Sequence, residues 1–320
     1  MLTSFFGNSR PVNFLILGVL IFIAYLFTAI FGTELHLDLH NILLHLLLIA
    51  VSVISMLLLD FIVTKNKLTK PNTFTVLFYS CFLIMLPVIF LHDNIILANL
   101  FLLLAIRRII SLRKDTNSSK KILDASVWIT IASLFYFWSL LLFIPLWIAI
   151  VQKPNTDYKQ MLTPLTGFFA VIIINSAYRL ILDDSLIWFF EWKDSISLDF
   201  SLYNNAKILI PATVILGFYI WAGVFQILRL PSLSFKDRPN HLLLIYISAI
   251  AFLIGLASPE KSGAEFLFVL APLSIITTNY IEGAQNERFY QKDALEFWFK
   301  EMLLWLIVVL AFVFLFIEIL

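Results

Sequence analysis

Charge is scarce in this chain of 320 residues. Asp, Glu, Lys and Arg make up 13% of it, where a soluble globular domain carries about 25%. Hydrophobic residues reach 61% and the mean hydropathy is +0.95. That balance excludes a soluble fold and makes lipid the solvent. Cysteine is scarcer still: Cys81 stands alone, so no intrachain disulfide and no paired CxxC site can form, and the redox compartment stays open. The chain has no glycine-rich phosphate loop, no HExxH and no GxSxG. Inverted repeats of the transporter kind are missing too, because the first five apolar runs do not align on the last five. No nucleic-acid partner is expected.

What is present is a series of uncharged runs, at 12–33, 39–59, 71–91, 94–106, 125–152, 160–178, 208–228, 239–259, 266–281 and 302–317. Nothing between them is long enough for a soluble domain, so residues 1–320 read as a single transmembrane domain. A hydrocarbon core of about 30 Å needs ~20 helical residues, and two runs depart from this. Thirteen uncharged residues separate Asp93 from Arg107, which is too few. Run 125–152 is too long for one upright helix and too short for two full ones. Such compression implies a thinned, water-accessible cavity or backbone buried in protein. The first run follows Arg10 and Pro11, exceeds a signal-peptide core and lacks a small-x-small cleavage pattern, so it reads as a retained span.

Basic residues mark cytoplasmic loops. If 125–152 is one span, the inside loops hold 14 of the 22 Lys and Arg residues. If it is a hairpin turning near Tyr136–Ser139 they hold 18: Arg10 and those within 65–70, 107–121, 153–159, 229–238 and 288–300. The hairpin gives the expected fold, an all-α polytopic transmembrane bundle of about eleven spans with short or broken helices. Its amino terminus is inside and its carboxyl terminus outside. The outer pieces are then Gly32–His40, His92–Asp93, Asp183–Lys207 and Ser258–Glu265. In the third, Trp188, Phe189, Phe190 and Trp192 are interspersed with Asp184, Glu191 and Asp194. That mixture suits a helix in the membrane interface, as an aromatic belt or a substrate platform.

Titratable residues at a membrane edge need a partner or a task. Glu34, His36, Asp38 and His40 alternate directly after the first run, and His45 follows Asp38 by seven residues. With His92 and Asp93 on the next outer turn, they could share one cleft. Carboxylates suit magnesium or manganese and imidazoles pull toward zinc. The set could equally do acid–base work, or face water at a helix entrance with His45 satisfied in the core. Arg179 and Asp183 are spaced to pair on a helix, or Arg179 holds a phosphate. Lys193, Lys207 and Lys261 are the other outer cations, and the loop from Arg107 to Lys121 touches anionic lipid.

From Leu86 to Ile150 the order of features resembles the GT-C superfamily of membrane glycosyltransferases, which use polyprenyl-phosphate sugars. The matching text is Pro87 to Phe101, carrying Asp93 at its turn, then the basic loop Arg107–Lys121, then Leu123 to Ser139. The resemblance implies a catalytic role for Glu34 or Asp38 and for Asp93; by residue type alone, Glu34, Asp38 and Asp93 with His36, His40 and His92 are the candidate ligands of a divalent metal. The resemblance puts the lipid phosphate on Arg179 or Lys261, since Glu265 stands where family members carry a cation. Through Ser4 to Pro11 and Ala132 to Ser139 the chain also resembles an uncharacterised multi-span family of Bacteroidota. That implies a bacterial inner membrane and an envelope role. Two readings follow: a transferase acting on a lipid-linked sugar at the outer leaflet, or a non-catalytic scaffold that holds a lipid or an envelope protein partner.

Overall fold

The computed structural model describes the chain except residues 33–37, 114–116, 154–155, 185, 198, 260, 284–292 and 318–320. Among the described residues there is helix and no strand. A short helix α1 (Leu2–Phe6) precedes α2 (Pro11–Gly32), α3 (Leu39–Asn66), α4 (Phe74–Met85), α5 (Asp93–Ser111), α6 (Ser118–Phe135), α7 (Phe143–Val151) and α8 (Tyr158–Asp183). A single turn, α9 (Trp188–Glu191), leads to α10 (Ala206–Arg229), α11 (Arg238–Leu256), α12 (Leu267–Gly283) and α13 (Asp293–Ile317). Eight of these segments are long and apolar enough to cross a membrane, and α4 and Phe137–Val151 are shorter apolar helices.

Sequence chemistry fixes the ends. Asp38 caps α3 by accepting from Leu39 N–H at 2.9 Å, which satisfies one of the orphan donors of a helix start. Lys67, at φ 53, closes α3 by turning left-handed and returning its N–H to Val63 and Thr64. Helix α5 starts with Asp93 and carries Arg108 in its last turn, matching the positive and negative ends of the helix dipole. It therefore runs 19 residues, and the compression expected between Asp93 and Arg107 does not exist. Counting uncharged residues understated its length, because its terminal charges lie within the helix. Arg108 pairs with Asp124 at 2.8 Å and Arg107 lies over the Phe61 ring at 4.6 Å.

Polar contacts sort the helix ends into two sets. At one end Glu282 holds the α3–α4 loop through Lys70 N–H at 3.0 Å and the Asn72 amide. Glu301 holds α1 through Leu2 and Thr3, and Lys121 reaches the Ser111 carbonyl at 2.9 Å. This is the basic end. At the far end Tyr25 meets His45 at 2.9 Å, Tyr203 meets Glu265, and the Tyr136 hydroxyl donates to the Ile254 carbonyl at 3.3 Å. The chain alternates between the ends, and α4, α6 and Phe137–Val151 each make a pass.

The broken segment is a hairpin. Helix α6 stops at Tyr136, whose φ −146 and ψ 104 are extended. A 3-10 stretch, Phe137–Leu142, then leads into α7, which returns to the basic end beside Arg113 and Pro239. Beyond the Arg108–Asp124 pair, α5 climbs about 22 Å to Asp93 and α6 about 16 Å to Phe135 at 1.5 Å per residue. The hairpin tip thus stops about 6 Å short. The core lies around α4, every residue of which is buried, and α12. Serine and threonine make that closeness possible: the Ser274, Thr277 and Thr278 hydroxyls donate to carbonyls four residues back. Small polar residues let helices approach in lipid without leaving a hydroxyl unpaired.

Candidate functional site

The described members of the expected acidic set lie at the far end. Glu34 and His36 lie outside the described residues. Asp38 and His40 are exposed at the start of α3, and the Asp38 carboxylate is occupied as a cap. His45 sits one turn further in, against the Tyr25 hydroxyl. On the next turn His92 donates from Nδ1 to the Val88 carbonyl at 3.0 Å, which fixes its ring. Asp93 accepts from Asn94 N–H at 2.8 Å and lies near enough to Tyr25 to act on it electrostatically. The Phe90 ring stands 5.4 Å from the Tyr25 ring. The fold thus brings Asp93, Tyr25 and His45 toward one another across α5, α2 and α3. Among the described residues no three His, Cys, Asp or Glu side chains converge as metal ligands.

The two expected phosphate cations have different surroundings. Lys261 is buried, and its ammonium donates to the Gly255 carbonyl at 3.5 Å and to that of Leu256, with the Phe200 ring at 5.2 Å. It closes the carboxyl end of α11, where a cation suits the helix dipole. Burial pushes this ammonium below its ordinary value, against the pull of Glu265. Glu265 accepts from the Tyr203 hydroxyl and from Ser262 at 3.2 Å. Burial, then Glu265, hold the Tyr203 hydroxyl above the ordinary tyrosine range. Beside them an apolar cavity of about 210 Å³ opens between α10, α11 and α12.

Arg179 has the more open setting. With Asn175 one turn earlier on α8, it lines a cleft of about 450 Å³ closed by Leu134 of α6 and by Ile187, Trp188, Glu191 and Trp192 around α9. Three features build this cleft. The short hairpin leaves room above the tip of α6. Gly167 lets α8 approach, since a Cβ there would stand 1.9 Å from Ser126 Oγ. The Trp192 indole donates to the Ser133 carbonyl at 2.6 Å and meets Phe137 edge-on at 5.2 Å, pinning α9 over the tip. The Trp188 indole N–H is buried there without a partner.

Arg179 and Asn175 supply donors, Glu191 an acceptor, and the indoles flat apolar walls. That array can hold an anionic or hydroxyl-rich group. Residues 186–192 read from the sequence as an interfacial aromatic helix, and their convergence with Asn175 and Arg179 was hidden, because α8 and α9 meet only through the loop between them. The signal available was a pair of tryptophans four residues apart flanking Glu191. No curated protein and no solved structure matches the chain. A family model matches residues 2–320, and the chain belongs to that family, a family of unknown function (DUF6427).

Proposed function

We propose that this multi-span protein lies in a bacterial inner membrane as a single transmembrane domain and holds the anionic or sugar-bearing head of a membrane lipid in the α6–α8–α9 cleft, without catalysing its transfer. The carrying observation is the convergence of Arg179, Asn175 and Glu191 with the Trp188 and Trp192 side chains on one cleft. The basic residues gathered at the opposite end support a cytoplasmic amino terminus and a periplasmic carboxyl terminus. The cleft then faces the outer leaflet, where a polyprenyl-phosphate-linked sugar or another anionic lipid presents its head. An envelope protein that receives this lipid is the partner class that fits such a holder.

The test is co-purification. The protein extracted from its membrane in mild detergent is expected to carry lipid with a phosphate or sugar head, detected by native mass spectrometry. Arg179→Gln and Asn175→Ala should each lower its occupancy by roughly fivefold, the value of one hydrogen bond of about 1 kcal/mol. Wild-type occupancy in both variants would refute the cleft.

A transferase on a GT-C-like scaffold is the second reading, and the approach of Asp93 to Tyr25 and His45 favours it. In that reading Glu34, Asp38 and Asp93 supply the base or ligands for magnesium or manganese. If Asp93→Asn abolishes complementation while the folded protein stays in the membrane, this reading replaces the first.

A further inference from the structure

A second polar cavity lies at the basic end, where the carboxyl ends of α5 and α7 meet the start of α11. It measures about 330 Å³. Ile110, Leu112, Ala149 and Leu243 give it apolar walls, and Arg113, Lys153, Gln152 and Asn240 give it polar ones. Lys153 is only 6% exposed and its ammonium donates to Gln160 at 3.1 Å. Two cations line this cavity, and none of its described lining residues is acidic. Phe235, at the rim, is 94% exposed.

Two cations on the walls of one cavity suit an anionic occupant. The first turn of α11 adds the positive end of a helix dipole along the Pro239–Asn240 wall. Basic pockets between transmembrane helices on the cytoplasmic side characteristically take anionic lipid heads. An exposed phenylalanine at the mouth suits acyl chains and offers nothing to a free ion. We infer that the α5–α7–α11 cavity binds the phosphate of an anionic phospholipid, with Lys153 and Arg113 on the phosphate, Asn240 and Gln152 on the polar head, and Phe235 against the chain. This site is independent of the cleft at the far end.

Binding to the full-length protein in neutral detergent tests it. Dioctanoyl phosphatidylglycerol is titrated against dioctanoyl phosphatidylcholine and against inorganic phosphate, with melting temperature and native mass spectrometry as readouts. Phosphatidylglycerol is expected to saturate and to raise the melting temperature, phosphatidylcholine to bind more weakly, and phosphate to compete only at much higher concentration. Arg113→Gln, at a half-buried position, should weaken phosphatidylglycerol roughly fivefold, and Lys153→Met at least as much. Should Lys153→Met fail to fold, Arg113→Gln carries the test alone. Equal affinity for the two lipids, or wild-type affinity in Arg113→Gln, overturns the site. Phosphate saturating at the affinity of the lipid overturns the lipid as occupant.

Discussion

Helices α8 and α12 cross the same membrane with similar mean hydropathy, 1.8 and 1.5, yet 11% of residues across the apolar stretch of α8 are buried against 89% for α12. Apolarity put both in the membrane and did not decide which became core. What separates them is where their small and polar groups point. In α12, Ser274, Thr277, Thr278, Asn279 and Glu282 are buried; Thr278 meets Thr75 of α4, the Asn279 carbonyl accepts from Arg229 of α10, and Glu282 accepts from Lys70 N–H in the α3–α4 loop. In α8 the polar residues Asn175 and Arg179 turn to one cleft and Gly167 to one neighbour, and most of the remaining apolar stretch is exposed. A helix packed on all sides tolerates little change, whereas one held along a single stripe can be altered locally and still stay folded.

The contrast is broken most severely at Glu282. Glu282→Ala strands the Lys70 N–H and the Asn72 amide beside α12 and should cost about 3 kcal/mol, read as a lowered melting temperature and loss of folded protein in detergent. A loss no larger than that of a typical α8 surface change would end the distinction. At the close approach of α8 to α6, Gly167→Ala should cost about 2 kcal/mol by overpacking. Adding Ser126→Ala should recover part of it, since Ser126 Oγ is the nearest obstacle. If the double variant is no more stable than the single one, the close approach of α6 and α8 is not set there.

Trp192→Phe keeps a ring against Phe137 but removes the bond to Ser133. About 1 kcal/mol of local stability should be lost, seen as faster hydrogen exchange at residues 187–192 with the global melting point nearly unchanged. A global shift would instead tie α9 to the core. The smallest effect concerns Tyr203, which joins the loop after α8 to Glu265 ahead of α12. Its folded-state ionisation lies above the ordinary value of 10.0, so the native state keeps a proton the unfolded chain releases. This contribution is intact at neutral pH and is lost as pH rises above about 10. Tyr203→Phe should flatten that alkaline loss of stability, and an unchanged slope would show that Tyr203 ionises freely.

The site depends on contacts that the sequence does not display. Asp38 reads as a candidate ligand ahead of an apolar run, and its carboxylate caps α3. Lys261 looked like a spare outer cation, but the loop from Ala257 folds it back onto the end of its own helix. Trp188 and Trp192 fit an aromatic belt, and only the pinning of α9 onto Ser133 turns them toward Asn175 and Arg179. In each instance the partner is distant in sequence or hidden in a turn.

Composition and periodicity by themselves determined that the chain lives in lipid as helices, that 125–152 breaks near Tyr136, and that basic residues collect at one end. These follow from the cost of exposing backbone and charge to hydrocarbon, which every residue feels regardless of its neighbours. Tertiary structure alone decided that α12 is core and α8 is rim, that α5 is a full span, and that cavities open above the α6 hairpin tip and beneath α11. Those outcomes depend on how closely particular pairs of helices approach, and in a solvent as apolar as the side chains that distance is set by contacts at single residues such as Gly167 and Thr278.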